Sequence, residues 1–207
     1  MSEPRLCIAA PLGVEARALR RGGPHVHVVR TGAGPARARQ ACPRLSADPA
    51  PALAVAGVGG ALEPGLRPGT VFVADSLRAK GLPPRALMAE PVAQALRRHG
   101  LSVACGALLS SDHIVRGSER TRLAAKGVRA VDMESAWLAP AAGPRPLAVV
   151  RVVVDAPGHE LLRPGILRAG LRALRSLRDL VPALEEWAEQ VARIETWKSP
   201  ARAHEKE

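Results

Sequence analysis

Apolar residues along this chain come in short runs separated by polar, helix-forming stretches. Leu6-Cys7-Ile8-Ala9-Ala10 has no helical period and is stopped by Pro11 and Gly13, which predicts a buried strand. A helix follows through Leu19, with Glu15 near its start. Residues 25–29 alternate polar and apolar as a half-buried strand does, and Leu53-Ala54-Val55-Ala56-Gly57 is again a buried strand. Residues 64–69 read as a turn and 70–74 as a strand of β-branched and aromatic type. The stretch 76–91 is rich in Pro, Lys and Arg, lacks a period, and reads as a surface loop able to gate a site. A helix at 92–99, a strand at 101–109 and a polar helix at 119–125 come next. Residues 128–131 alternate like the end of a strand, and a helix can begin at Ser135. The β-branched run 146–155 looks like a central strand covered on both faces. Residues 166–180 predict a helix with Leu167, Leu171 and Leu174 on one side and Arg168, Arg172 and Arg175 on another. Pro182 breaks it, and a last helix over 183–197 carries Glu185, Glu186 and Glu189, so the two are expected to pair opposite charges over the sheet. Strands alternating with helices imply an α/β sheet with helices on both sides.

Composition narrows this picture. At 207 residues the chain suits one well-buried domain, assigned to 1–198, with 199–207 as a frayed tail. Hydrophobic residues make up 47% and charged residues 24%, which is globular. No apolar run reaches membrane-crossing length and no cleavable apolar leader precedes the first strand, so a cytoplasmic protein is expected. Cys7, Cys42 and Cys105 are odd in number and unpaired in spacing, and read as ordinary thiols rather than a disulfide framework or metal cage. The net charge of +11 is not matched by aromatic residues that could stack bases: there is no Tyr and one Phe. Nucleic acid is therefore not the expected partner, whereas phosphate, a nucleotide or an acidic membrane surface is compatible.

Candidate chemistry sits at strand ends. Glu134, in Val131-Asp132-Met133-Glu134-Ser135, falls at a strand-to-helix junction, where open α/β folds bind ligands and a carboxylate can accept from two neighbouring hydroxyls, as in a ribose diol. The same glutamate also suits a helix N-terminus complementing the macrodipole. Asp155 ends the central run, where desolvation favours a neutral, proton-donating acid. Thr31-Gly32-Ala33-Gly34 opens a helix and offers backbone donors to an anion, but the third glycine of a dinucleotide fingerprint is missing. Gly57-Val58-Gly59-Gly60 serves either as a tight turn or as backbone against which a ligand lies. His113 is a ligand or acid candidate in a turn, where a structural role is the commoner one.

Together these segments resemble the purine nucleoside phosphorylase and nucleosidase superfamily. The resemblance is carried by Ala9-Ala10 with Glu15, Thr31-Gly32-Ala33-Gly34, Val58-Gly59-Gly60-Ala61-Leu62-Glu63-Pro64 with Arg67-Pro68-Gly69, Ser111-Asp112, Val131-Asp132-Met133-Glu134-Ser135 and Val152-Val153-Val154-Asp155. It spans roughly residues 6–158 and implies a single-domain three-layer sandwich with a central mixed sheet. The spellings Thr-Gly-x-Gly-Pro, Asp-His-Ile-Val and Val-Asp-Met-Glu-Ser-Ala are most similar to hopanoid-associated phosphorylases, which are thought to remove adenine from adenosylhopane.

The resemblance implies roles. Asp155 matches the acid at purine N7, Glu134 the carboxylate on the ribose hydroxyls, and Met133 the residue packed along the sugar. Gly59 and Gly60 lie at the substrate, and Ile114 and Val115 match the base-lining pair. Ile114 is aliphatic where the nucleosidases carry an aromatic residue, so base stacking is expected to be weaker. Glu15 stands near the acid that activates water in hydrolytic members. For phosphate as a co-substrate, Arg17, Arg30, Thr31 and Gly32 are the candidates. No metal or redox cofactor is implied, and the expected partners are a nucleoside, lipid-linked in the hopanoid case, and further copies of the chain. Peripheral membrane contact would use the Arg168, Arg172, Arg175 stripe and the 76–91 loop. The competing readings are methylthioadenosine/adenosylhomocysteine or futalosine cleavage and, outside enzymes, a nucleoside-binding module.

Overall fold

The computed structural model describes residues 5–63, 65–155 and 166–198, without the side chains of 166–169 and 194–198. Its strands are β1 (Leu6–Ala10), β2 (Val26–Arg30), β3 (Leu53–Ala61), β4 (Val71–Ala79), β5 (Leu82–Ala86), β6 (Val103–Ser110), β7 (Val128–Asp132) and β8 (Leu147–Asp155). The helices are α1 (Gly13–Arg20), α2 (Pro35–Ser46), α3 (Ala89–Arg98), α4 (Ser118–Ala125), α5 (Ser135–Leu138), α6 (Ile166–Asp179) and α7 (Val181–Lys198), with a 3₁₀ turn at Ala139–Ala142. The expected tail at 199–207 and the loop at 156–165 lie outside the described residues, as does Pro64 of the expected turn.

Alternation of side chains along each strand decides which layer covers which face. Leu6, Ile8, Ala54, Ala56, Val150 and Val152 point into one apolar layer with α1, α3, α6 and α7. Cys7, Ala9, Leu53, Val55, Val149 and Val153 point into the other, closed by α2, α5 and the 3₁₀ turn. This is the three-layer mixed arrangement the sequence implies. β8 is central as expected, pairing in parallel with β3 and antiparallel with β4. Beyond it the sheet curls: β4 pairs β6, β6 pairs β7, and β7 returns to β3 through Gly60↔Val131 and Ala61↔Ala130, closing a ring of five strands.

Three expectations are corrected. Glycines 57, 59 and 60 do not end β3, which runs on to Ala61, because here glycine answers close packing rather than a turn. A Cβ on Gly57 would lie 2.5 Å from Nη1 of Arg151, and one on Gly59 would lie 3.0 Å from the Val131 carbonyl oxygen. The stretch 76–91 is not a loop: β4 continues through it and pairs with β5 as Ser76↔Ala86, Leu77↔Arg85 and Ala79↔Leu82, turning at Gly81 (φ +78°). Pro83 and Pro84 hid this hairpin, yet β5 is an edge strand, where a missing N–H is tolerated.

The third correction concerns the last two helices. α6 buries Ala173 and Leu177 and packs Leu174 against the same layer, while Leu171, expected on the apolar side with it, is 58% exposed. Nor do the acids of α7 answer the α6 arginines among the described side chains. Glu186 binds Arg98 and His99 of the α3 end, Glu185 accepts from the His25 amide, and Glu189 pairs with Arg5. No helix among the described residues is long and apolar enough to cross a membrane.

Candidate active site

The carboxyl ends of β3, β7 and β8 meet over a cavity of about 240 Å³. Its wall includes Glu15, Val58, Gly59 and Gly60, then His113, Ile114, Val115 and Arg120, and finally Met133, Glu134 and Asp155. Glu134 follows β7 and lies just before α5, the strand-to-helix junction expected. Its Oε1 accepts from the Gly34 amide at 2.9 Å, so that donor of the glycine-rich loop is spent on a carboxylate, while Ala33 of the same loop lines the cavity. Gly34 holds φ at +86°, a value that favours glycine.

Behind this wall is a buried charge cluster centred on Arg151, which projects from the middle of β8 and is 1% exposed. Its Nε donates to Asp132 Oδ2 at 2.8 Å and its Nη2 to Ser135 Oγ at 2.9 Å, with Glu134 Oε2 3.7 Å from Nη2. Asp132 also accepts from Ser110 Oγ at 2.5 Å and from the Ser135 amide at 3.2 Å, fixing the start of α5. Burial works against the Arg151 charge, but Asp132, Glu134 and Glu15 together hold its pKa above the ordinary arginine value. Nη1, beside Gly57 and the Glu15 side, has no hydrogen-bond partner among the described residues.

Glu15 reaches the same region from the first turn of α1. Its Oε2 accepts from the Leu12 amide at 2.7 Å and its Oε1 from Val58 at 2.8 Å, tying α1 to β3. Burial pushes its carboxyl above the usual carboxylate range, against the Val58 and Leu12 amides and Arg151, which favour the ionised form. Burial does the same to Glu134, opposed first by Arg151. A carboxylate so placed is a better base than one in water.

Asp155 is buried at the end of β8, as expected of a desolvated strand-end acid, and it has a cationic partner that the sequence reading did not include. Nη1 of Arg120, from α4, donates to its Oδ2 at 2.6 Å, and Nη2 donates to the Ala61 carbonyl. Oδ1 of Asp155 is buried without a partner among the described residues, and the residue lines the cavity. The ion pair arises because the ring of strands carries α4, between β6 and β7, back over the end of β8.

The cavity thus gathers Glu15, Met133, Glu134, Asp155, Gly59, Gly60, Ile114 and Val115. Ile114 is 55% exposed while Val115 is buried, so the two form mouth and floor. His113 also lines it, anchored by Ser111, Asp112 and Glu119; Asp112 and then Glu119 raise its pKa. The phosphate candidates are not brought there. Arg17 and Arg30 are exposed outside the wall, and the Thr31 hydroxyl is spent on the Ala10 and Gly32 carbonyls. Sequence reading missed Arg120 and Arg151. The first sits in an unremarkable polar helix, whereas the second, a lone cation inside a β-branched run, was a signal available from the start.

The fold and cavity define a class. The sequence pattern of the phosphorylase superfamily matches residues 12–181, and the chain belongs to that superfamily. It is accordingly an enzyme of the nucleoside phosphorylase and nucleosidase type. Among solved structures it is similar to a 5′-methylthioadenosine/S-adenosyl homocysteine nucleosidase from Campylobacter jejuni, at TM-score 0.75 and 13% identity over 90% of this chain and 99% of that one. It is also similar to the native futalosine hydrolase of Helicobacter pylori, at TM-score 0.71 and 14% identity over 89% and 97% of the two chains. A third is the Neisseria meningitidis 5′-methylthioadenosine/S-adenosylhomocysteine nucleosidase in complex with methylthio-immucillin-A, at TM-score 0.71 and 18% identity over 89% and 98%. No curated protein matches the sequence.

Proposed function

We propose that the protein cleaves the N-glycosidic bond of a 5′-substituted adenosine and releases adenine, with water as nucleophile and adenosylhopane as the substrate. The observation that carries this reading is that Glu134 and Asp155, distant in the chain, line one cavity together with Glu15. Breaking the bond leaves positive charge on the sugar and negative charge on the base, and the site must answer both. Glu134 accepts from the ribose hydroxyls, held for that task by the Gly34 amide and Arg151. Asp155 takes up a solvent proton on Oδ1 as the nucleoside binds and passes it to purine N7, and Arg120 stabilises the carboxylate left behind. Glu15 takes a proton from water as the water attacks the sugar.

Hydrolysis is favoured over phosphorolysis because Glu15 stands in the wall while Arg17, Arg30, Thr31 and Gly32 do not. An apolar 5′ group fits the mouth, where Leu12 and Ile114 are 40% and 55% exposed. The spellings around Gly34, His113 and Glu134 support the hopanoid member of the class over the methylthioadenosine and futalosine members. Purine release from adenosylhopane, methylthioadenosine, adenosylhomocysteine and futalosine, each with and without phosphate, tests the reading. The expected result is fastest release from adenosylhopane at a rate indifferent to phosphate. Strict phosphate dependence overturns the nucleophile, a faster rival overturns the substrate, and tight adenosine binding without turnover leaves a binding module.

A lipid-linked substrate also implies contact with a membrane surface. Of the Arg168, Arg172, Arg175 stripe, Arg172 and Arg175 are exposed beside exposed Leu171, while the Arg168 side chain lies outside the described residues, and basic residues near anionic lipid contribute about 1 kcal/mol each. Co-sedimentation with vesicles should rise with anionic lipid content and fall in Arg172→Glu/Arg175→Glu; indifference to lipid charge removes this contact.

A further inference from the structure

We propose that Cys7, His27 and Asp48 form a binding site for a single thiophilic divalent cation of the Zn²⁺ type, away from the catalytic cavity. Parallel pairing of β1 with β2 puts Cys7 opposite His27, and chain return through α2 brings Asp48 beside both. One ligand atom from each of the three lies within 4.8 Å of the others. The Ala50 amide holds Asp48 Oδ1 at 3.0 Å, leaving Oδ2 to contact Nδ1 of His27. The spacing of the three cysteines along the chain excludes a cage of thiolates, but not a site that takes one thiolate and finds its other ligands through the fold.

The donor set selects the metal. A thiolate, an imidazole and a carboxylate suit zinc or cobalt, whereas magnesium and calcium prefer oxygen alone. Tetrahedral zinc, with bonds of about 2.0–2.3 Å, needs its ligand atoms roughly 3.3–3.6 Å apart. Cys7 and Asp48 are buried and fixed, but His27 is on the edge strand with its side chain 54% exposed, and can swing to that spacing. Its exposed side leaves the fourth position to water. Without metal, burial and then the Asp48 carboxylate push the Cys7 thiol up to about 12, so binding must release the thiol proton and strengthens as pH rises. Arg145 and Arg44 lie near enough to favour the thiolate, though they also repel the incoming cation. Occupied, the site clamps β1, β2 and the α2–β3 connection together. It includes none of the cavity residues, so adenine release should not depend on it.

Chelator-treated full-length protein is titrated with Co²⁺, which reports a thiolate ligand by a charge-transfer absorption, and its melting is followed with and without Zn²⁺. The expected result is a band saturating at one equivalent, abolished in Cys7→Ser, with Co²⁺ affinity reduced more than about 100-fold in His27→Ala, beyond what loss of an outer-shell partner costs. Zn²⁺ should raise the melting temperature of the unmodified protein only. No band, a band retained in Cys7→Ser, or unchanged affinity in His27→Ala overturns the site. Should Cys7→Ser fail to fold, His27→Ala, altered on an exposed edge, decides alone.

Discussion

Replacing Arg151 by Met is the most searching perturbation of the site. The substitution keeps much of the volume and removes a guanidinium that donates to Asp132 and Ser135 and faces Glu134 and Glu15. Deleting one partner of a buried ion pair leaves uncompensated charge and costs about 3–5 kcal/mol. At about 2–4 °C per kcal/mol for a chain of this size, melting should fall by roughly 6–20 °C. The pH dependence gives the sharper check. Burial raises the Glu15 and Glu134 carboxyls, so each binds a proton more readily folded than unfolded, and each weakens the fold as pH rises through that window. Arg151 opposes this rise, and its loss steepens it. The stability gap between the two proteins, measured by urea denaturation, should be widest near about pH 7.5 and narrow towards about pH 5. A gap below about 1 kcal/mol, or one that ignores pH, would show that the cluster is not organised by its cation.

Other outcomes follow from the same geometry. Asp155→Asn leaves the buried Arg120 guanidinium without its counter-charge, so melting should fall measurably, and adenine release, read in a coupled adenine assay well below the melting temperature, should fall by about a hundredfold to ten-thousandfold; near-normal turnover removes Asp155 from the chemistry. The acid limb of kcat/KM should lie above the ordinary glutamate value of about 4.3, because activity is lost as pH falls through the raised pKa of Glu15 or Glu134. A limb at the ordinary value would mean neither carboxylate has to be ionised. Gly57→Ala places a methyl 2.5 Å from Arg151 Nη1 and 3.0 Å from Glu15 Oε1, and should destabilise by about 1–3 kcal/mol in denaturant titration while also lowering turnover. Neutral behaviour would show that the side chains behind β3 yield freely.

What could be read in the chain beforehand was whatever depends on local pattern. β1, β8 and the junction at Glu134 are short-range features, set by apolar runs and breakers, and they stand where expected. Gly57 to Gly60 left a turn and a close approach both open, because glycine signals either, and only the partner strand and the cavity beside Gly59 and Gly60 distinguish them. The β4–β5 hairpin was masked by Pro83 and Pro84, whose tolerance on an edge depends on having no neighbour beyond. Leu171 belongs to a plausible apolar stripe with Leu174, yet α6 is rotated so that Ala173 and Leu177 meet the sheet layer with Leu174 and Leu171 is left outside. Arg120 reaches Asp155 only because strands far apart in sequence close a ring, which no local pattern records.

That ring shuts on a short seam, Gly60↔Val131 and Ala61↔Ala130, continued by the Leu62 amide donating to the Arg129 carbonyl at 2.8 Å. Gly60 is also in register with Asp155, and Val131 stands three residues before Glu134, so a nucleoside gripped by both acids would straddle the seam as a non-covalent rivet. Amide protons beside it should then exchange more slowly with solvent once the ligand is in place, making occupancy legible in the backbone itself.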